Sequence, residues 1–228
     1  MNALKIIETK DGSHSLLNEA FNETYHSTHG ALQESRHVFI KNGLHFWMHQ
    51  NDVKEVAILE VGLGTGLNAL LALKESFERK TRIRYTSVEA FPVPFELVSL
   101  LNYPGLLDWP EAEKFFHQLH AAPWNIPATI TPEFILEKLE GTIQDMSLGE
   151  PKYDLVFFDA FAPAKQPEMW TLGVLEKIAR ALKPNSAFVT YCAQGQLKRN
   201  LKLLGLTVES LPGPPGKREM VRALCARH

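Results

Sequence analysis

The sequence predicts an α/β fold with a mostly parallel, doubly wound sheet, and three observations support this fold class. Apolar segments of strand character alternate with segments whose apolar residues recur at helical spacing. A glycine-rich run, GLGTG at positions 62–66, follows the first strong apolar strand. Acidic residues stand where predicted strands end, at Glu60, Glu89 and Asp159. Ligands of such sheets bind beyond the carboxyl ends of the strands, so these residues are expected at one site.

Hydrophobic periodicity assigns an element to most of the chain from residue 54 onward. Strands are predicted over 54–61, 82–89, 133–140, 153–159, 186–191, 206–211 and 219–226. Alternation with helices favours a strand over a short helix at 133–140. Helices are predicted over 67–77, 95–101, 111–120, 169–182 and 194–204, with Gly205 just after the last one.

Two parts of the chain stand apart from this alternation. Residues 102–132 are rich in proline and form a predicted insertion that carries the helix at 111–120. Residues 1–53 include THGALQESRHVFI and GLHFWMH, and are expected to form a small N-terminal extension or lid with a hairpin. The Rossmann-like domain then covers residues 54–228.

Composition limits the classes of function. At 228 residues, 45% of them hydrophobic, the chain suits one α/β domain with additions. No apolar run approaches the ~18 residues of a membrane span, and no secretory signal is evident. The two cysteines form no metal or redox pattern, so a reduced, cytoplasmic setting is expected. The net charge of −2 does not indicate a nucleic-acid binder. Residues 183–227 are basic, which fits a solvated face and an RNA-facing edge equally well.

The glycine run and Glu89 predict a site for a nucleoside-bearing cofactor. Glycines let the backbone turn sharply and approach a ligand closely. A carboxylate about 20 residues further on can accept hydrogen bonds from both ribose hydroxyls. The spacing is G-x-G-x-G, with Leu67 where a dinucleotide fingerprint would have its third glycine. This pattern favours S-adenosylmethionine, with Glu60 orienting the loop or meeting the methionine ammonium. The structural alternative is a packing turn.

A second informative segment, DAFAPAKQPEMW, begins at Asp159 and ends at Trp170. A carboxylate at a strand end followed by a proline-rich loop is suited to holding a substrate. The segment resembles, without matching, the Asp-Pro-Pro-aromatic motif of amino-group methyltransferases. The alternative interpretation is an N-cap aspartate followed by a packed Trp170.

Four segments together resemble a known family: EVGLGTGLNAL, DAFAPAKQPEMW, YHSTHGALQESRHVFI and GPPGKREM. They are similar to the methyltransferase domain of the bacterial tRNA wobble-uridine enzymes of the MnmC type, over roughly residues 11–226. The resemblance implies a Rossmann-like class I S-adenosylmethionine-dependent methyltransferase whose last strand is antiparallel. In fused members an FAD-dependent oxidoreductase follows this domain. Because this chain ends at His228, the stand-alone form is expected.

The resemblance also implies a reaction. S-adenosyl-L-methionine would methylate the 5-aminomethyl group of wobble uridine (position 34) or 2-thiouridine in tRNA, giving the 5-methylaminomethyl form. A separate enzyme would first make the aminomethyl precursor. Asp159 is the implied catalytic residue. It is expected to orient the acceptor amine by accepting an N–H bond, since a carboxyl of ordinary pKa is a poor base for an alkylammonium.

The remaining candidate residues fall into two groups. Candidate cofactor-binding residues are Glu60, Gly62, Gly64, Thr65, Gly66, Asn68 and Glu89, with Tyr25 and Glu34 from a lid, and with Thr142 or Asp145 at the adenine edge. The last pair stays open because Thr142, rather than an acid, follows Gly141. Candidate tRNA-binding residues are Phe161, Lys165, Trp170, Lys217 and Arg218.

Other functions are weighed against this one. Four N-terminal histidines match no zinc pattern, so no metal is expected. An aminopropyltransferase or a small-molecule amine methyltransferase could use the same fold, because fold does not fix substrate. Lys165 argues against a site for a polycation. The non-enzyme alternative is an RNA-binding module with a vestigial cofactor fold.

Overall fold

A computed structural model describes residues 4–51, 54–149 and 151–226. The first three strands form a small antiparallel sheet: β1 (Leu4–Glu8), β2 (His14–Asn18) and β3 (Glu23–Thr24). The other eight form the central sheet: β4 (Glu55–Val61), β5 (Arg82–Glu89), β6 (Ala128–Thr131), β7 (Phe134–Glu140), β8 (Tyr153–Phe158), β9 (Leu182–Thr190), β10 (Thr207–Pro212) and β11 (Glu219–Leu224).

The central sheet has the order β10-β11-β9-β8-β4-β5-β7-β6. Its five inner strands, β9, β8, β4, β5 and β7, pair in parallel. Strand β11 inserts antiparallel between β9 and β10, and β6 pairs antiparallel with β7 at the other edge. After β4 the chain adds β5 and β7 on one side and then returns to add β8 and β9 on the other, so the carboxyl ends of β4, β5 and β8 meet at a switch point. This architecture confirms the predicted doubly wound fold with an antiparallel last strand.

Helices cover both faces of the sheet. They are α1 (Ala31–Ser35), a π-helical segment (Arg36–His45), α2 (Phe46–Gln50), α3 (Leu67–Arg79), α4 (Phe95–Val98), α5 (Ala112–Ala121), α6 (Leu172–Ala181) and α7 (Gly195–Leu203). Short 3₁₀ turns occupy Pro104–Leu106 and Pro167–Trp170. The first three run without a break over residues 31–50 and together form the N-terminal helical run.

Two apolar cores lie on opposite faces of the sheet. In β8, Leu155 and Phe157 face one core while Val156 and Phe158 face the other, as the alternation of a strand requires. The first core includes α3, α5 and the N-terminal helical run, and the second includes α6 and α7. Alternating burial therefore fixes which residues of β8 can reach the site at its end.

Most predicted elements occur within a few residues of their expected bounds, and three differ. The hairpin before residue 54 is formed by β1 and β2, whereas THGALQESRHVFI and GLHFWMH are largely helical. Strand β6 was not predicted. Strand β9 begins at Leu182 instead of 186, because a register shift between Tyr153 and Leu155 accommodates Pro184, which has no N–H to donate.

The predicted boundary between extension and domain falls at residues 52–53, outside the described residues. No helix among residues 4–51, 54–149 and 151–226 is both long and apolar enough to cross a membrane.

Candidate functional site

A cavity of about 410 Å³ opens at the carboxyl ends of the inner strands. The glycine run after β4, Glu89 at the end of β5 and Asp159 after β8 all line it. Residues 141–144 after β7 form its far side. The volume lies within the range of small-molecule sites. The sheet thus brings together the residues that the sequence places at three strand ends.

The glycine loop allows close approach because two of its residues have no room for a side chain. Gly62 has φ +96°, and a Cβ there would lie 2.7 Å from the Asp159 carbonyl oxygen. Gly66, just before α3, has φ +75°, and a Cβ would lie 2.7 Å from His120 Nε2. Both conformations are ones that residues with a Cβ rarely adopt. The loop therefore packs directly against the backbone that carries Asp159.

Thr65 holds this loop from inside the protein. It is fully buried, and its hydroxyl lies 2.7 Å from His26 Nε2 and accepts a hydrogen bond from the Tyr103 hydroxyl at 3.2 Å. His120 Nε2 donates to the Thr65 carbonyl oxygen at 3.2 Å. Burial lowers the pKa of both His26 and His120 to about 4, so these rings are neutral at pH 7. The loop is supported by uncharged hydrogen bonds.

Glu89 presents its carboxyl to the cavity while two backbone amides hold it. Oε2 accepts from the amide of Gly64 at 3.0 Å, and Oε1 accepts from the amide of Phe91 at 2.8 Å. Burial raises the pKa of Glu89, and these N–H groups oppose that rise. Each carboxylate oxygen has a second lone pair, so the group can still accept from ribose hydroxyls.

The far side of the cavity suits a flat ring. Thr142 lines the cavity, and its hydroxyl donates to Asp145 Oδ2 at 2.6 Å. Asp145 is exposed and lies outside the lining. The sequence analysis missed Gln144, Phe91 and Met169, which also line this side. Only Phe91 had a usable signal, as a large apolar residue just after a strand-end acid.

An aromatic cluster closes the N-terminal side. The ring centroid of Phe161 lies 5.0 Å from that of Tyr25 and 5.7 Å from that of Phe21. Lys165 Nζ donates to the carbonyl oxygens of Phe21 at 2.9 Å and Asn22 at 3.2 Å. The loop after β8 is thereby tied to the turn between β2 and β3. Lys165 is engaged with backbone, not displayed to solvent.

Asp159 is half-buried, and its Oδ2 accepts a hydrogen bond from Asn68 Nδ2 at 2.8 Å. Burial raises the pKa of Asp159 to about 7, and the charge of Glu34 adds to the rise. Asn68 and the Lys217 ammonium act in the opposite direction. Near neutral pH the carboxyl can therefore both hold and release a proton.

Glu34 and Lys217 lie beside Asp159, outside the cavity lining. Glu34 is 4% exposed; one carboxylate oxygen pairs with Lys217 Nζ and the other accepts from the Ser27 amide at 2.8 Å. Lys217 Nζ also lies 4.0 Å from the centroid of the Tyr191 ring. Exposed Arg218 lines a separate open depression of about 440 Å³ next to Tyr191 and Lys217.

Two predicted site residues are placed differently from expectation. Trp170 is 7% exposed, packs on Phe158 and donates from Nε1 to the Phe161 carbonyl oxygen at 2.8 Å. It supports the loop from below, as in the packed alternative, because burial of a large ring is favourable once its N–H has a partner. Glu60 is fully buried and bonded to Ser87, so it cannot meet a methionine ammonium in the cavity.

The arrangement fits a nucleoside-bearing cofactor. The glycine loop, the Glu89 carboxyl and several apolar side chains line one cavity at the ends of the strands. Within residues 4–51, 54–149 and 151–226, no group of three or more His, Cys, Asp or Glu side chains could hold a metal ion.

Comparisons with known proteins agree with this site. The family described as S-adenosyl-L-methionine-dependent methyltransferase matches residues 104–226. The chain belongs to this family, and its cofactor is S-adenosyl-L-methionine. The predicted enzyme class and cofactor are thus confirmed.

Two curated relatives are similar to this chain over most of its length. The chain is 35% identical over 217 residues to the tRNA 5-methylaminomethyl-2-thiouridine biosynthesis bifunctional protein MnmC of Leptospira interrogans. It is 32% identical over 221 residues to the protein of that name in Pseudomonas aeruginosa. Each alignment covers 90% of this chain and 33% of the relative, so the chain spans about a third of their length.

A solved structure shows the same similarity. The crystal structure of MNMC2 from Aquifex aeolicus matches with a TM-score of 0.81 and 28% identity, covering 100% of this chain and 72% of that one. The predicted resemblance to proteins of the MnmC type is confirmed.

Proposed function

We propose that this enzyme methylates the 5-aminomethyl group of wobble uridine or 2-thiouridine in tRNA. The observation that carries the proposal is the position of Asp159, which lines the cavity together with the glycine loop and whose pKa responds to the charges of Glu34 and Lys217. The names of the MnmC relatives support tRNA as the substrate. The upstream enzyme that supplies the aminomethyl group is proposed to be a separate protein.

The residues of the cavity account for the requirements of amine methylation. Bound S-adenosyl-L-methionine supplies an electrophilic methyl group on a cationic sulfur. An acceptor amine must be neutral to attack, although an alkylamine has a pKa near ~10 in water. Asp159 accepts an N–H bond and aims the lone pair. With a pKa of about 7 it also takes up the proton that the newly formed secondary ammonium releases, which an ordinary aspartate would do poorly.

Aromatic and basic side chains are proposed to hold the substrate. Phe161 is half-buried at the cavity edge, where its ring can stack on an extruded base; such stacking is worth about 1–3 kcal/mol. Arg218 is proposed to contact phosphate. The roles of Gly64, Glu89, Tyr25 and Thr142 in binding the cofactor are proposed on their positions in the lining.

One assay tests the function directly. The protein is incubated with labelled S-adenosyl-L-methionine and tRNA from a strain that lacks the modification, and the digested nucleosides are identified. We expect label only in 5-methylaminomethyl uridine or its 2-thio form. In a parallel reaction a small amine replaces the tRNA. Methylation of that amine, or tRNA binding without any transfer, would contradict the proposal and favour a rival function.

Asp159→Asn is the matched variant for this assay. It keeps the shape but removes the charge and the proton acceptor, so we expect turnover to fall at least ~100-fold. Binding of S-adenosyl-L-methionine, measured by calorimetry, should survive. Near-wild-type turnover would remove Asp159 from the reaction.

A further inference from the structure

Glu60 is a buried acid that the methyl-transfer scheme does not use. It is the penultimate residue of β4, the strand that precedes the glycine loop, and it is 0% exposed. Its Oε2 accepts a hydrogen bond from the Ser87 hydroxyl at 2.6 Å, whereas Oε1 has no hydrogen-bond partner among the described residues. Isolated ionised carboxylates are very costly in such surroundings.

Asn68 lies between Glu60 and Asp159. Its side chain is 2% exposed and within hydrogen-bonding reach of the Glu60 carboxyl. Nδ2 donates to Asp159 Oδ2 at 2.8 Å, which leaves Oδ1 buried and without a partner in the described part of the chain. Two acceptors, Glu60 Oε1 and Asn68 Oδ1, are thus both unpaired in one small volume.

A proton on Glu60 resolves this arrangement, because the carboxyl O–H can donate to the amide oxygen. We propose that Glu60 is a neutral positioning residue whose O–H donates to Asn68 Oδ1 and so fixes the amide that donates to Asp159. The inference rests on the proposed role of Asp159. Burial raises the pKa of Glu60 to about 8 and Asp159 adds to the rise. Hydrogen bonds donated by Ser87, Asn68 and Tyr85 would lower this pKa, and those from Asn68 and Tyr85 belong to the competing ionised state.

The consequence for Asp159 is a fixed hydrogen-bond donor. An amide can rotate by half a turn and present its oxygen instead, which would repel the carboxylate. Glu60 prevents that rotation because its O–H can donate to the amide in only one of the two orientations. The donor stabilises the ionised form of Asp159, so Glu60 keeps the pKa of Asp159 lower than burial alone would set it.

Tyr85 is the competing partner on the neighbouring strand. Its hydroxyl is buried and lacks a hydrogen-bond partner among the described residues. Burial raises the pKa of this hydroxyl, and the charge of Glu60 adds to the rise. If Tyr85 and Asn68 both donated to Glu60, the acid could be ionised. The groups that face Glu60 are therefore Ser87, Tyr85, Asn68 and Asp159, and variants can separate the two states.

The central test compares Glu60→Gln with Glu60→Ala. Glutamine can accept from Ser87 and donate to Asn68 Oδ1, so it reproduces a protonated glutamate. We expect kcat within about threefold of wild type for E60Q and at least about tenfold lower for E60A. The acidic limb of the pH–rate profile should stay in place for E60Q. It should move to higher pH for E60A, because Asp159 loses a fixed donor. Tyr85→Phe should stay within about threefold.

A second measurement is independent of tRNA. The infrared difference spectrum of wild type minus E60Q, recorded at pH 7, should contain a protonated-carboxyl band. If wild type fails to methylate tRNA but the band is present, the proposed function is wrong and the protonated state of Glu60 stands. The inference is overturned if the band is absent, if E60Q is as impaired as E60A, or if E60Q does not fold.

Discussion

Gly62 has no room for a side chain at the point where β4 turns into the loop. Its amide donates to the Val88 carbonyl oxygen at 2.9 Å, and the Asp159 carbonyl stands 2.7 Å from where a Cβ would be. A larger residue must move either the loop or the backbone of Asp159. The position of the glycine loop is therefore coupled to the position of the Asp159 backbone by this contact.

Gly62→Ala should weaken cofactor binding while the protein still folds. Strain at a positive φ and the clash together should lower the free energy of unfolding by about 1–3 kcal/mol. Calorimetry should show binding of S-adenosyl-L-methionine weakened at least ~10-fold.

Gly173→Ala is the control for this prediction. It lies in α6 with open space around its Cβ position. Alanine has a higher helix propensity than glycine, so this variant should fold and bind the cofactor normally. Equal cofactor affinities in the two variants would mean that the Gly62 contact does not shape the site.

Site residues were predictable where they stand at the end of a recognisable strand. Glu89 and Asp159 stand at the ends of apolar strands, and the fold brings such ends together. The surroundings of Asp159 were not predictable, because Asn68, Glu34 and Lys217 come from distant segments. The burial of Trp170 was equally hidden, since an aromatic residue in a loop motif can face either a ligand or the core.

Strands and helices followed the hydrophobic pattern closely, and β5 has the predicted bounds. Strand β6 was not predicted because it is only four residues long and lies between Pro127 and Pro132, in the segment assigned to a proline-rich insertion. The N-terminal helical run was also missed. Its π-helical segment places buried residues at Val38, Phe39, Ile40, Gly43 and Leu44, which does not follow the 3.6-residue period.

The loop before β11 carries two neighbouring cations, Lys217 and Arg218, in different surroundings. Lys217 is bound to Glu34 and lowers the pKa of Asp159, whereas Arg218 is exposed. Lys217→Ala should raise the pKa of Asp159. In the proposed mechanism Asp159 must be ionised to accept the amine N–H, so the acidic limb of the pH–rate profile should move to higher pH.

Arg218→Ala is the comparison for Lys217→Ala. It should leave that limb in place and weaken tRNA binding, with a salt slope shallower by roughly 0.7–0.9. Filter binding at several salt concentrations measures the second effect. Identical pH profiles for wild type and Lys217→Ala would contradict the assigned division of roles.

At the scale of the whole molecule, the N-terminal helical run is part of the same core as the sheet. Phe39 is 1% exposed, and its ring centroid lies 5.2 Å from that of Phe157 in β8. Trp47 reaches further and donates to the Asn185 carbonyl oxygen at 2.9 Å. We therefore propose that the extension folds together with the Rossmann-like unit. Its division from that unit, and its action as a lid, stay predictions.

Phe39→Ala tests this cooperativity. Loss of a buried ring should cost about 3–5 kcal/mol of unfolding free energy. Denaturation followed by circular dichroism and by tryptophan fluorescence should give one coincident transition. Leu203→Ala, at a position 73% exposed, should change stability by less than about 0.5 kcal/mol. An early, separate transition would show that the extension unfolds by itself.

The ion pair between Lys217 and Glu34 joins positions 183 apart in the chain. Contacts of such long sequence separation form late, since the intervening segment must first lose its freedom. Asp159 thus acquires its electrostatic surroundings only when nearly the entire polypeptide is ordered. Partly folded chains emerging from a ribosome should consequently have no methyl-transfer activity, and so should not alkylate other cellular amines.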